Sequence, residues 1–515
     1  MMIHFLKSSA SLITTLSLSV ASALYADTSQ PNIVFIYADD MGYGDVTYLN
    51  PERCKIATPQ LDSLAKQGMV FTDAHTSSSV CTPSRYSLMT GRYNWRTTLQ
   101  YHVTHGYSTS LVADETLTVG EILQSKGYNT GMVGKWHLGM DFSTQNGKKQ
   151  FGSGKNRISN INWQGAIAGG PVDHGFDYYY GIAASLDMPP YIYIENRHFE
   201  GIPTEVVTVK RHGDKHADFR DVDVLDKFVE KSKEFINQQS QDKPFFLYVP
   251  LTSPHTPIVP TPQWLGKSGI NHYADFQMMT DDIIGQIVAT LDEAGFKDNT
   301  LLIISSDNGC SKAANFRQLE AAGHFASAQF RGSKADLWEG GHRVPFIVRW
   351  PALIEAGSSS DETICLTDFL ATCAEITGAT VPQDQGVDSV SFLPALKGEE
   401  ITSSRQGIVN HSISGHFAYR KGDWKLLLAK GSGGWSMPSE RSMDAIEGSL
   451  EAQLYNLASD PGETTNLYAE KPEIAAELLA QLKKEVANGR STAGPVVPND
   501  IPIEDIKLWK GNVSR

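Results

Sequence analysis

The sequence contains no long run of lysines and arginines, no C-x-x-C pair and, past its first two dozen residues, no apolar stretch of bilayer-spanning length. Each absence removes a class of function. With 58 acidic against 44 basic residues and a net charge of −14, the chain is not built to bind nucleic acid. The same field repels polyanions, so an anionic substrate has to be captured by a local positive pocket. A membrane span takes about 20 consecutive apolar residues, so no stable membrane insertion is expected. Cysteine is scarce: Cys54, Cys81, Cys310, Cys365 and Cys373 match no zinc or redox spacing. Cys365 and Cys373 read as sharing one helix, about 12 Å apart at 1.5 Å per residue, beyond the reach of a disulfide. An odd number of cysteines leaves at least one with another job. No internal repeat is present.

What is there suits an ordinary globular protein of 515 residues, 41% hydrophobic and 20% charged, long enough for a large core. The start reads as an export signal, with Lys7 ahead of the small and apolar stretch Ser8–Ala23 and then Leu24-Tyr25-Ala26. Cleavage after Ala26 leaves Asp27-Thr28-Ser29 as the mature start, with Ala23 as the other candidate. The alternative, a membrane anchor, is disfavoured by a short segment rich in Ser and Thr. That segment has no cysteine, which argues against a lipoprotein. A periplasmic or secreted protein is expected.

Strand-like and helix-like segments alternate through the first 400 residues, the pattern of an α/β domain. Asn32–Tyr37, Pro244–Pro250 and Thr300–Ser305 are near-continuous apolar runs, as in strands buried on both faces; Pro345–Trp350 is a further strand. Between Phe276 and Leu291 the residues Met279, Ile283, Ile284, Ile287, Val288 and Leu291 fall on one helical face. Thr116–Gln124 and Val222–Phe235 are similar. From residue 401, short strands at Gly407–His411, His416–Arg420 and Trp424–Leu428 precede a turn at Asp460-Pro461-Gly462 and a helix over Pro472–Val486. Gly431–Ser449 reads as a polar surface loop. The expected fold is a large, mostly parallel mixed sheet sandwiched by helices (27–400), with a smaller C-terminal subdomain (401–515) holding an antiparallel sheet and a helix.

The apolar strands end in polar residues: Asp39-Asp40 after the first, Asp307-Asn308 after Thr300–Ser305, and Pro254-His255-Thr256-Pro257 after Phe245–Val249. Ligand crevices of open α/β sheets lie beyond the carboxyl ends of strands. Three aspartates and an asparagine make an oxygen-only set suited to a hard cation, Ca²⁺ or Mg²⁺. Each pair alone is more often a turn or a helix cap than a ligand set, but together at the ends of such strands they read as one site.

The stretch CTPSRYSLMTGR, Cys81 to Arg92, resembles the signature of the formylglycine-dependent (type I) sulfatases of the alkaline phosphatase superfamily, in particular arylsulfatases and N-acetylgalactosamine-6-sulfatases. The resemblance continues through ADD near the mature start, GKWHLG (Gly134–Gly139), PHTP, SDNG (Ser306–Gly309) and RGSKADLWEGGHRVPF (Arg331–Phe346), in the family's order. It implies that a maturation enzyme oxidises Cys81 to formylglycine. A Ser or Cys nucleophile would be left as a stable sulfated adduct; a hydrated aldehyde has one hydroxyl to attack sulfur and a second to expel sulfate. Pro83 fits the first turn of a helix, placing residue 81 at an N-terminus that favours anions.

By the same resemblance, Asp39, Asp40, Asp307 and Asn308 hold one Ca²⁺ together with an oxygen of residue 81. Arg85 stabilises the hydrate, Lys135 and Lys334 bind sulfate, His137 takes the proton of the second hydroxyl, and His255 protonates the leaving alcohol. Asp187, His324, His411 and His416 lie where related carbohydrate sulfatases place substrate contacts, although a lone histidine is as readily structural. Lys210-Arg211-His212 with Lys215, His216 and Arg220, and Lys148-Lys149 with Lys155-Asn156-Arg157, are glycan subsites or solvated loops. Arg343 is expected to brace the site. The implied function is hydrolysis of sulfate esters of a polysaccharide or oligosaccharide. The alternatives are a phosphonate or phosphodiester hydrolase of the same superfamily and, if Cys81 stays unmodified, a non-catalytic sulfated-glycan-binding protein.

Overall fold

The computed structural model describes residues 30–148, 159–207, 211–503 and 506. The expected signal peptide, and Lys149, Lys155, Asn156, Arg157 and Lys210 of the basic runs, lie outside the described residues. No helix of the described part is long and apolar enough to cross a membrane.

A ten-stranded sheet organises the chain. Its strands are β1 (Asn32–Asp39), β2 (Met69–Phe71), β3 (Asn129–Lys135), β4 (Tyr178–Ile182), β5 (Ile194–Glu195), β6 (His198–Phe199), β7 (Phe245–Pro254), β8 (Thr300–Ser306), β9 (Phe346–Arg349) and β10 (Ser358–Ser360). The order across the sheet is β10-β2-β9-β8-β1-β7-β3-β4-β5-β6. The centre, β8-β1-β7-β3-β4, is parallel. Antiparallel strands extend it on both sides, β9 beside β8 and β5 beside β4.

The continuous hydrophobicity of β1 follows from burial on both faces. Ile33, Phe35 and Tyr37 pack with Leu88, Ile122 and Phe369 from helices Cys81–Thr90, Val119–Ser125 and Phe369–Thr377. Val34, Ile36 and Ala38 face Leu61, Phe228 and Ile284 from helices Pro59–Gln67, Val224–Asn237 and His272–Glu293. The six apolar positions expected along His272–Glu293 are all buried, each stabilising the fold by about 1.5–3 kcal/mol if fully removed from water. The helix expected from Thr116 begins at Val119, because Thr118 caps it: Glu121 N–H donates to Thr118 Oγ1 at 3.2 Å and Thr118 N–H to the Glu121 carboxylate at 2.8 Å.

The C-terminal sheet is four-stranded and antiparallel: β11 (Ile408–His411), β12 (Phe417–Lys421), β13 (Trp424–Leu427) and β14 (Gln453–Asn456). Helix Pro472–Asn488 covers it, and its core includes Tyr93, Trp95 and Cys365 from the larger part. Strand β14 was not expected; its four residues carry too little alternation to stand out. The cysteine geometry also differs from expectation. Cys365 belongs to a short strand, Ile364–Cys365, and only Cys373 lies in helix Phe369–Thr377; all five cysteines are free and buried.

Candidate active site

Strand register alone gathers the polar ends. Asp39, closing β1, pairs with Pro254, closing β7, and Ala38 pairs with Ser306, closing β8. Asp40, His255 and Asp307-Asn308 follow directly. Asp40 N–H donates to Asp307 Oδ1 at 3.2 Å, and Asn308 Nδ2 to Asp40 Oδ1 at 2.7 Å. From the end of β3, Lys135 Nζ reaches Asp39 Oδ2 at 2.6 Å. Lys334 Nζ donates to Asp40 Oδ1.

Cys81 is the first residue of a ten-residue helix that is buried throughout and ends at Gly91, in the left-handed conformation at φ 62°. One turn on, Arg85 grips Asp307 Oδ2 with Nε at 3.0 Å and Nη2 at 2.8 Å, and the Lys135 carbonyl with Nη1 at 3.2 Å. The Cys81 sulfur and carboxylate oxygens of Asp39 and Asp307 lie within 4.8 Å of one another. Asp40 (φ 71°), His137 (φ 60°) and Ala335 (φ 81°), beside Lys334, are non-glycine residues with left-handed backbone. Such conformations cost about 1–3 kcal/mol each and collect where side chains must be aimed.

Three carboxylates and the three cations Arg85, Lys135 and Lys334 occupy this small buried volume. Burial works against the charge of Asp39, yet Lys135, His255 and Arg85 hold it well below the usual carboxylate range. Asp307 is pushed up to about 7 by burial and by Asp39 beside it. Asp39 Oδ1 and Asn308 Oδ1 are buried without a hydrogen-bond partner. Two orphaned oxygens among crowded carboxylates fit a hard divalent cation, which would satisfy both and relieve the repulsion.

The histidines differ in poise. His137 Nε2–H donates to the Thr104 carbonyl at 2.9 Å, which leaves Nδ1 buried and unpaired. Burial, Lys135 and Arg85 push its pKa well down, so it is a neutral imidazole with a bare lone pair. His255 Nδ1–H donates to its neighbour's carbonyl, Thr256 O, at 2.6 Å and turns Nε2 to 3.8 Å from Asp40 Oδ2.

The expected substrate contacts divide. Asp187 is half-buried, 3.4 Å from the Arg211 guanidinium, which also meets His105 Nδ1 at 3.1 Å. His324 is fully buried, accepting from Lys55 N–H at 3.1 Å and donating to Asp45 Oδ1 at 2.8 Å; it braces a loop and has no ring nitrogen left for a ligand. His411 and His416 are buried. The His411 carbonyl accepts from Ser78 Oγ at 2.8 Å and Ser79 N–H at 3.0 Å, so β11 supports the segment leading to Cys81. Arg343 braces from behind, bonding Glu339 Oε2 at 2.8 Å through Nε, Asp73 Oδ1 at 2.7 Å and the Thr72 carbonyl at 2.7 Å.

Two features gave no signal in the sequence. Thr104 holds His137 by both its carbonyl, which accepts from His137 Nε2–H, and its hydroxyl, which donates to the His137 carbonyl at 3.0 Å, while its own N–H donates to Thr82 Oγ1 at 3.2 Å. Lys425 sits buried between Glu339, Glu463 and His342. Both bring together residues between 22 and 86 positions apart in the chain.

The family model described as Sulfatase matches residues 31–379, and one described as N-sulphoglucosamine sulphohydrolase, C-terminal, matches 333–436. An N-acetylgalactosamine-6-O-sulfatase of Bacteroides thetaiotaomicron is 32% identical, over 89% of this chain and 93% of that protein. The rat arylsulfatase G is 30% identical over 89% and 86%. A solved structure from work on the metabolism of multiple glycosaminoglycans by Bacteroides thetaiotaomicron superimposes with a TM-score of 0.76 at 31% identity, covering 88% of this chain and 99% of that one. On fold, site and similarity together, the chain belongs to the sulfatase family and is a sulfuric ester hydrolase.

Proposed function

We propose that this enzyme removes sulfate from 6-sulfated N-acetylgalactosamine in glycans, using a formylglycine made from Cys81 by a maturation enzyme. One observation carries the mechanism: residue 81 shares its pocket with the oxygen-only cluster, within 4.8 Å of Asp39 and Asp307 ligand atoms. Burial also raises the Cys81 thiol pKa against the pull of Lys135 and Lys334, so an unmodified Cys81 is a protonated, weak nucleophile. The sugar assignment is supported by relatives named N-acetylgalactosamine-6-sulfatases at 30% identity or more. A sulfated polysaccharide is met outside the cytoplasm, which would agree with the export signal expected from residues 1–26.

The formylglycine hydrate would supply the nucleophilic hydroxyl and a second hydroxyl for expelling sulfate. Asp39, Asp40, Asp307 and Asn308 would hold Ca²⁺, which supplies positive charge at the sulfuryl oxygens. The chain's own groups do the rest. Lys135 and Lys334 place two ammonium groups at the carboxylate cluster, where the sulfate's non-bridging oxygens bind and the developing charge is offset. Arg85 fixes Asp307 and the Lys135 backbone, keeping that geometry rigid. His255 turns Nε2 toward Asp40. Burial and Lys334 lower its pKa while Asp39 and Asp40 favour its charged form, and on taking up a second proton at Nε2 it would deliver that proton to the departing sugar oxygen. His137 Nδ1, with its bare lone pair, accepts the proton released when sulfate departs.

The test is sulfate release from N-acetylgalactosamine-6-sulfate by enzyme co-produced with a maturation enzyme, beside the matched 6-phosphate. Turnover of the sulfate and its loss in Cys81→Ala are expected. A preference for the phosphate, or full activity in Cys81→Ala, would contradict the proposal.

A further inference from the structure

The glycine-rich segment Gly431–Ser449 takes no part in the catalytic cluster, yet its first half is held rigidly on the strip that carries Lys334. The Glu440 carboxylate accepts from the N–H groups of Lys430 and Gly431 at 2.8 Å and of Gly433 at 3.2 Å. Asp336 Oδ1 accepts from Trp435 N–H at 2.8 Å and Ser436 N–H at 3.0 Å, while its Oδ2 takes Ser333 N–H at 2.9 Å. Leu337 N–H donates to the Ser432 carbonyl at 2.8 Å. The approach is so close that a Cβ on Gly434 would lie 2.2 Å from the Ala335 carbonyl oxygen.

This anchored loop holds Trp435 40% exposed, the only exposed tryptophan among the described residues, with Met437 beside it 70% exposed. An indole left in water forgoes the gain of burial, and here it is not exposed through slackness of the loop. Lys312 stands over it, with Nζ 5.2 Å from the ring centroid. Lys312 is itself exposed and forms no ion pair among the described residues. It lies four positions beyond Asn308. A rigid aromatic face paired with a free ammonium, on a molecule of net charge −14, matches a ligand with an apolar face and an anionic substituent. The C–H face of a pyranose packs on an aromatic ring, and the ammonium is a point charge for a sulfate or carboxylate. Pre-ordering removes the entropy loss that a mobile loop would incur on binding.

We propose that Trp435 and Lys312 form a second glycan subsite, which takes the next sugar of a sulfated chain when its neighbour is at residue 81. The subsite rests on the sulfated-glycan reading and predicts a preference for oligosaccharides over the monosaccharide.

The experiment compares wild type, Trp435→Ala and Lys312→Ala on N-acetylgalactosamine-6-sulfate and on a tetrasaccharide bearing the same sulfated sugar. Tetrasaccharide affinity is measured separately in a Cys81→Ala background. Trp435→Ala is expected to lower tetrasaccharide kcat/KM and affinity by about tenfold, the loss of one aromatic anchor, with the monosaccharide unchanged. Lys312→Ala is expected to flatten the salt dependence of tetrasaccharide binding. Wild-type behaviour of Trp435→Ala on the tetrasaccharide would overturn the subsite, and so would an equal loss on both sugars, which would mark Trp435 as a brace for Lys334. A wild type that hydrolyses neither sugar, with tetrasaccharide binding still weakened by Trp435→Ala, would fail the substrate reading and leave the subsite standing.

Discussion

Replacing Lys425 with methionine removes the ammonium between two buried carboxylates. Lys425 Nζ, fully buried on β13, donates to Glu339 Oε1 at 2.9 Å, Glu463 Oε1 at 2.9 Å and His342 Nε2 at 3.0 Å. Helix Glu339–His342 begins shortly after Lys334, so this contact ties the C-terminal sheet to the strip that carries Lys334. Removing one partner of a buried ion pair leaves an uncompensated charge and destabilises by about 3–5 kcal/mol. The pH dependence has a defined sign. Glu463 is pushed up to about 7 by burial and by Glu339, against Lys425. A carboxyl raised in the folded state keeps its proton where the unfolded chain releases it. Its contribution to stability is therefore present below the ordinary value of 4.5 and lost as pH rises through about 7. Without Lys425 the shift grows, so the deficit in Lys425→Met should stay level below about pH 6 and widen as pH rises through about 7 toward 8. Urea or thermal unfolding midpoints across that range measure it. Lys425→Met/Glu463→Gln should recover more than half the loss at the alkaline end, because Glu339 keeps Arg343. A single variant within about 1 kcal/mol of wild type, or a double variant no better than the single, would refute the reasoning.

Other expectations concern the site itself. His255→Asn should lower kcat on a sugar sulfate by about 10²–10⁴-fold, with a much smaller loss on nitrophenyl sulfate, whose leaving group needs no proton; equal losses would remove His255 as the acid. Chelator treatment should lower both the thermal midpoint and the activity, and Ca²⁺ should restore them, since a ligand bound only by the native state stabilises it; unchanged midpoints would argue against a structural calcium. Gly309→Ala should yield inactive or insoluble protein, because the new Cβ would lie 1.9 Å from the Gly340 carbonyl oxygen, next to Asn308.

The sequence foretold most where physics is local. Apolar runs such as Asn32–Tyr37 and the 3.6-residue stripe from Met279 to Leu291 marked strands and helices, because burial on both faces or on one writes itself into the pattern. The polar residues after those strands marked the site, because parallel register must bring strand ends together. Roles for the residues in the motifs around Cys81, Lys135, His255, Asp307 and Lys334 came from resemblance alone. Contacts without periodicity were hidden. Nothing in a lone Thr104 announces that it orients His137, and nothing near Lys425 points to Glu339 or Glu463. His324 looked like a ligand contact because a sequence cannot show that both its nitrogens are already engaged by Asp45 and Lys55. Trp435 lay unremarked in a polar loop until its exposure and its neighbour Lys312 were visible.

Mass spectrometry of the peptide containing Cys81, from protein made with a maturation enzyme present, tests the central claim most directly. The expected result is a peptide in which the thiol has been replaced by an aldehyde or its hydrate, resistant to thiol alkylation and reactive toward hydrazide. An intact, alkylatable cysteine in protein that still releases sulfate at full rate would contradict the formylglycine mechanism.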